Sequence, residues 1–296
     1  MENVIEVSEL THRYGKRTIY EGLNFSVPSG KIFGLLGKNG VGKTTLIKIL
    51  MGFLRPVSGR CTVFGEDSHT LSSKTRARVG LLFEGHLAYE FMSIEQIEKF
   101  YAPMYEKWNR DCYYDLVDKL KLPKSHKIKN MSCGQRSQVV LGLIMAQQPD
   151  LLLLDDYSMG LDAGYRRLFL DYLDEYLSGG DKTVFLTSHV IQDMHRFVDE
   201  VIFLERGGRL MSVSLADFTE RFRCYQMPRT QNEAAVPREG EVIKNVEVHA
   251  SRFDLYSFQD KEAVASALRD QGFPEPELTQ TEMNLEDAFI GYTGRY

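Results

Sequence analysis

Apolar and polar residues alternate along residues 3–8 and 24–27, the period of half-buried strands. A short apolar run, KIFGLL at 31–36, follows and then a glycine-rich turn. The stretch TTLIKILMG after it has the spacing of a helix that stops at Gly52. Pro56, Ser58 and Gly59 mark a turn, and 61–64 and 79–83 are strand candidates. Residues 94 to about 147 read as mostly helical, in segments 94–107, 111–120 and 134–147. Apolar runs return at 151–155 (LLLLD), 182–187 (KTVFLT) and 200–204 (EVIFL). Short apolar strands separated by helices indicate a buried parallel sheet, with helix 164–177 as a crossover. The pattern predicts an α/β fold.

Near residue 225 the pattern breaks. QMPRTQNEAAVPREGE is polar, carries two prolines, and reads as a linker or mobile loop. Beyond it VEVHA (246–250) and FDLYSF (253–258) predict a β-hairpin, KEAVASALRDQG an amphipathic helix ended by Gly272, and NLEDAFIGYTG a short last helix. The expected organisation is a main domain over 1–222 with a helical subdomain at about 86–147, a linker over 223–241 and a small α+β domain over 242–296.

Composition narrows the class of function. A net charge of −5 offers no broad basic footprint for nucleic acid or for an anionic membrane surface. The opening MENVIEVSEL is no secretory signal, and the apolar runs are far too short to span a bilayer. A soluble, cytoplasmic protein without nucleic acid is expected. The four cysteines (Cys61, Cys112, Cys133 and Cys224) show neither disulfide nor zinc spacing and read as reduced thiols.

Gly37-Lys38-Asn39-Gly40-Val41-Gly42-Lys43-Thr44 matches the phosphate-loop pattern in full, between an apolar strand and a helix. The glycines let successive backbone N–H groups turn toward phosphate oxygens, and the helix start adds partial positive charge. Lys43 is expected at the β- and γ-phosphates and the Thr44 hydroxyl on Mg²⁺. A second element, Leu151 to Leu154 followed by Asp155 and Asp156, is a buried strand ending in two carboxylates. Ligands collect at the carboxyl ends of strands in such sheets. Asp155 is expected to hold Mg²⁺, and Asp156 to orient or deprotonate an attacking water. ATP and Mg²⁺ are the expected ligands.

Met131-Ser132-Cys133-Gly134-Gln135-Arg136 resembles the LSGGQ signature of ABC ATPases and precedes the acidic strand at that family's usual interval. Other marks of the family stand in order. Tyr14 in RYGKR resembles the aromatic that stacks on adenine, and Glu84 in VGLLFE stands at the Q-loop. Gly160-Leu161-Asp162 resembles the D-loop, and Thr187-Ser188-His189 the switch histidine. The resemblance covers roughly residues 3 to 215 and implies a P-loop NTPase core with a parallel sheet. Around it the family places an N-terminal antiparallel β subdomain, a helical signature subdomain and a small C-terminal α+β extension.

The resemblance implies that ATP is shared between two chains. Thr45 completes the loop of one chain, and Ser132, Gly134 and Gln135 of the other meet the γ-phosphate. It assigns His189 to the γ-phosphate or attacking water and Glu84 to magnesium or to the water. Asp162 either contacts nucleotide or caps the helix after it. A separate transmembrane permease receives the motion, through about His86 to Tyr105, on the inner face of the cell membrane. The tail resembles those of bacterial exporter ATPases. The second subunit is expected to be a like chain, with an unlike one open.

Three positions depart from the family pattern. Asp156 stands where glutamate is usual, shorter by roughly 1.5 Å, and slow hydrolysis with ATP binding and dimerisation intact is expected from it. Glu84 replaces glutamine, and Cys133 replaces the first signature glycine. Tyr157 and Met159 also differ from the usual residues. The leading expectation is an ATP-driven export motor. Two alternatives stay open at this point: a regulatory or weakly hydrolysing subunit paired with another ATPase, and a soluble switch outside transport.

Overall fold

A computed structural model describes residues 2–83, 89–156, 162–179, 182–187, 194, 197–205, 210–229 and 235–294. The chain forms two compact units. Unit 1 takes Met1–Val190 and Phe197–Ser212, and unit 2 takes Ile191–Arg196 and Val213–Tyr296.

Unit 1 opens with β1 (Asn3–Tyr14) and β2 (Arg17–Pro28), a long antiparallel pair. With β4 (Ser58–Val63) and β5 (Glu66–Asp67) they form a sheet of order β2-β1-β4-β5. Val4, Ile5, Val7 and Leu10 are buried while Glu6 is exposed, so one side faces a core. The second sheet has order β10-β9-β3-β8-β7-β6. Its strands are β3 (Ile32–Leu36), β6 (Val79–Leu82), β7 (Leu151–Leu154), β8 (Thr183–Thr187), β9 (Glu200–Leu204) and β10 (Leu210–Ser214). From β9 through β6 every pairing is parallel. All residues of β3, β7 and β8 are buried, as a sheet covered on both faces requires. Each leucine of β7 contributes roughly 1.5–3 kcal/mol by leaving water.

Helix α1 (Lys43–Leu50) follows β3, and the short α2 (Ser73–Ala77) precedes β6. Apolar side chains of α1, both sheets and Leu71 make one core. The helical region has its own, in which Ile94, Ile97, Tyr113, Val117, Ile128, Met131, Val139 and Leu143 pack together. It is built from α3 (Ile94–Tyr101), α4 (Arg110–Val117) and α5 (Cys133–Ala146). The expected segments 94–107 and 111–120 are thus shorter α-helices with 3₁₀ turns at 102–104 and 118–120. Pro103 lacks the N–H to continue the first. Tyr113 locks the group by donating its hydroxyl to the Ile94 carbonyl at 2.8 Å. Helix α6 (Ala163–Leu177) makes the crossover to β8.

Among the described residues, unit 2 holds a four-stranded antiparallel sheet, order β12-β13-β11-β14, flanked by helices. Its elements are α7 (Leu215–Arg221), β11 (Arg223–Pro228), β12 (Asn245–Val248), β13 (Arg252–Ser257), α8 (Lys261–Asp270), β14 (Thr279–Thr281) and α9 (Leu285–Thr293). Tyr225, Met227, Phe253 and Leu255 pack with Val264 and Leu268 of α8 on one face. On the other, Phe218, Phe222, Phe258 and Tyr292 form an aromatic cluster reaching Tyr256. The reading of 223–241 as a linker is corrected at its start, because β11 occupies Arg223–Pro228 and pairs with β13 and β14. Its Tyr225 and Met227 alternate with Cys224 and Gln226, so the strand carries apolar residues on one face only.

Candidate nucleotide site

The turn between β3 and α1 is held from outside as well as by its own glycines. Gly40 and Gly42 lie at φ +77° and +115°, where a side chain is strained. A Cβ on Gly42 would stand 2.5 Å from Ile19 and from the Tyr20 hydroxyl, so β2 packs directly on the loop. Tyr20 donates to the Gly42 carbonyl, and the Arg17 guanidinium donates to that of Gly40 at 2.8 Å. At Gly37 the backbone approaches Leu204 so closely that a Cβ would lie 2.5 Å from its carbonyl oxygen. Val41 is buried as the loop's anchor, while Asn39 is exposed at its tip.

Lys43 folds back under this loop. Its ammonium donates to the Gly37 carbonyl at 2.6 Å and to that of Lys38 at 3.2 Å. Burial moves its pKa below the ordinary lysine value, opposed by the charges of Asp156 and Asp155. Thr45 meets Tyr14: the two hydroxyl oxygens are 3.5 Å apart, and the Tyr14 ring, half exposed, stands beside His12 edge-on. The expected adenine platform and the phosphate loop are therefore neighbours.

The end of β7 brings the carboxylates to the same place. Asp155 is 2% exposed and accepts from the Thr44 hydroxyl at 3.2 Å and from the Thr187 hydroxyl at 3.0 Å. Thr187, the last residue of β8, accepts in turn from the Asp156 N–H at 2.8 Å. Asp156 sits at φ +48°, in the left-handed region that Asp tolerates better than most residues. A relay of Asp156 N–H, Thr187 hydroxyl and Asp155 carboxylate thus sets both acids at the strand end. A hydroxyl and a carboxylate oxygen 3.2 Å apart are hard oxygen donors of the kind magnesium takes. With an adjacent buried ammonium and the turn's backbone donors, the residues fit a magnesium nucleotide.

The signature segment starts α5 in the helical core. Ser132 accepts from the Gln135 N–H at 3.3 Å and Gln135 returns the contact to the Ser132 N–H at 3.0 Å, a complete capping box. Ser132 and Cys133 are exposed and Gly134 is buried. A Cβ on Gly134 would lie 2.3 Å from the Tyr165 ring, so this glycine makes room for α6. Asp162 caps α6, accepting from Gly164 and Tyr165 N–H groups at 2.9 and 3.0 Å. Glu84, Tyr157, Met159, Gly160, Leu161 and His189 lie outside the described residues.

Sequence reasoning passed over Arg17, Tyr20 and Tyr165 altogether, and read Thr187 only as the start of a histidine motif. No local pattern marks them, since each acts on a residue distant in the chain. The bulky pair Ile19-Tyr20 opposite the glycines was the only available sign.

Comparison with known proteins agrees with this geometry. Residues 20–158 match the family model described as ABC transporter. The chain is 30% identical to the Nod factor export ATP-binding protein I of Sinorhizobium fredii, over 98% of this chain and 86% of that protein. It is 26% identical to the bacitracin transport ATP-binding protein of Bacillus licheniformis, over 99% of this chain and 98% of that one. Among solved structures, an ATP-binding subunit of an ABC transporter superposes with a TM-score of 0.65 at 23% identity, covering 73% of this chain and 92% of that one. A dimeric ATP-binding cassette in a post-hydrolysis state with ADP and Pi gives 0.62 at 20% identity, over 71% of this chain and 98% of that one. Over the part of this chain that they cover, those cassettes share its fold. The chain belongs to the ABC transporter family, as an ATP-binding, ATP-hydrolysing subunit that drives transport.

Proposed function

We propose that this subunit powers export through a separate transmembrane permease, on the cytoplasmic face of the membrane, as a pair of like chains closing on two ATP molecules. Family members of this kind pair with a permease and dimerise. No helix among the described residues is long and apolar enough to cross a membrane. Export as the direction is supported by the relatives named for Nod factor export.

The observation that carries the catalytic reading is the relay at the strand end. Magnesium, when bound, would neutralise charge on the β- and γ-phosphoryl oxygens. Thr44 and Asp155 are its ligands in this proposal, with Glu84 reaching it directly or through water. Lys43 exchanges the carbonyls of Gly37 and Lys38 for phosphate oxygens, and the N–H groups of Asn39 to Thr45 line the phosphates. Tyr14 stacks on adenine. Asp156 accepts the proton of the attacking water, which His189 helps to orient. Ser132, Gly134, Gln135 and Asp162 of the second copy close the site over the γ-phosphate. The left-handed backbone at Asp156 re-aims a side chain one carbon–carbon bond shorter than the usual glutamate, and its N–H bond to Thr187 holds that turn.

Phosphate release with Mg-ATP, together with gel filtration in ATP, tests this. Wild type is expected to turn over, Asp156→Asn to stop turnover and trap a dimer, and Asp156→Glu to gain nothing. A wild type that dimerises on ATP without turnover, with hydrolysis appearing in Asp156→Glu, would instead identify a regulatory subunit.

A further inference from the structure

The two faces of the unit 2 sheet differ in chemistry. Opposite the apolar face under α8, the register puts Cys224 and Gln226 of β11, Asn245 and Glu247 of β12, and Asp254 and Tyr256 of β13 on one side. Asn245 and Tyr256 lie under α9: the Asn245 amide donates to the Gly291 carbonyl at 2.9 Å, and Gly291 leaves room for the Tyr256 ring. Farther along this face, toward the hairpin turn, the surface becomes acidic.

There Glu247 stands directly opposite Asp254, and both are nine-tenths buried, at 8% and 7% exposure. Like charges facing each other across an antiparallel pair destabilise it, and buried carboxylates require a counter-charge. Arg252 answers in part. Its Nε donates to Asp254 Oδ1 at 2.8 Å, and its terminal nitrogen reaches Oδ2 only at 3.4 Å. The hairpin turn, closed by the His249 N–H on the Arg252 carbonyl at 2.9 Å, carries the His249 ring over the same pair. His249 Nε2 is 3.0 Å from Asp254 Oδ2 and 3.7 Å from Glu247 Oε2.

The geometry of that approach is informative. His249 Nε2 is buried and makes no hydrogen bond, although a carboxylate oxygen lies within bonding distance. The ring nitrogen is therefore turned off the line a donated proton would take. One ligand atom from each of Glu247, His249 and Asp254 lies within 4.8 Å of the others. An imidazole nitrogen and two carboxylate oxygens converging on one point are the donors of a cation. The surroundings are those of an electron-rich pocket: burial, then the charges of Asp254 and Glu247, push the Cys224 thiol up to about 11. Arg252 thus orients the Asp254 carboxylate from behind.

We propose that Glu247, His249 and Asp254 bind one divalent transition-metal ion of the zinc type. The nitrogen donor argues against magnesium and calcium, and the absence of a thiolate from the set argues against copper(I). With zinc–ligand bonds of about 2.0–2.2 Å, tetrahedral donors stand roughly 3.4 Å apart, between the two separations His249 already makes. Three protein ligands leave a coordination position for water or a further ligand. The ion ties the sheet's edge strand β12 to β13 at the turn end of their hairpin, and so stabilises unit 2 by mass action.

The test uses the full chain stripped with a chelator, then titrated with zinc chloride, with and without saturating Mg-ATP. The expected result is a single zinc equivalent, unaffected by Mg-ATP, that raises the melting temperature. Cobalt(II) in its place should show the intense visible absorption of a low-coordinate site. His249→Ala and Glu247→Gln should each weaken zinc at least about tenfold, with ATP hydrolysis and circular dichroism unchanged. Wild-type zinc affinity in both variants would overturn the proposal, as would no zinc uptake by the folded wild type.

Discussion

Two helix starts in unit 1 carry the residues tied to nucleotide, and they are built in opposite ways. Helix α1 begins at Gly42, a left-handed residue with no side-chain cap, and the loop's shape is imposed by Tyr20, Arg17 and Leu204 from other strands. Helix α5 begins at Ser132 with a capping box that spends two side chains on its own first turn. The first is a binding surface formed by backbone donors, with the Lys43 ammonium already folded into place. The second is a self-sufficient helix end, able to stand exposed until another surface arrives. The proposed assembly of one site from two chains would need one of each.

The sharpest way to break this contrast is at Lys43. Lys43→Ala removes the loop's buried cation, and ATP turnover is expected to fall at least about a hundredfold, read by phosphate release. A Lys43→Ala protein that hydrolyses ATP at the wild-type rate would mean the chemistry lies elsewhere. Next in size is Gly134→Ala, which drives a methyl into the Tyr165 ring and should cost about 1–3 kcal/mol of stability. Thermal unfolding measures it, and a Tyr165→Ala background should recover most of the loss. Thr187→Val leaves the Asp156 N–H without its acceptor and should slow turnover about tenfold with ATP affinity retained. Thr187→Ser should restore the rate, which a purely structural role for the strand end would not predict. Smallest is Ser132→Ala, worth about 1 kcal/mol as a cap and visible as a modest drop in melting temperature. Loss of ATP-dependent dimerisation in that variant, beyond the stability change, would show that Ser132 also acts across the dimer.

How much of this could be read from the chain depends on where partners sit. The phosphate loop is contiguous, so its pattern carried strand, turn and helix together. The acids after Leu154 were legible because an apolar run that stops at two carboxylates has few physical explanations. Thr187 as a relay was not legible, since its partner is 31 residues away and only the sheet order β8-β7 brings them together. Nor was the left-handed turn at Asp156, which aspartate permits but does not demand. The loss of β11 to a supposed linker has a different cause. Its neighbours in the sequence are polar and proline-rich, and a strand with one apolar face hides easily beside them. The contact of Gly134 with Tyr165 was not legible either, since Tyr165 comes from another helix.

That last contact has a mechanical consequence. The Tyr165 ring occupies the space over Gly134, so α5 and α6 meet directly at their first turns. Tyr165 is also one of the two residues whose N–H groups Asp162 caps. A shift of the α5 start is therefore expected to reach the Asp162 cap through this one ring.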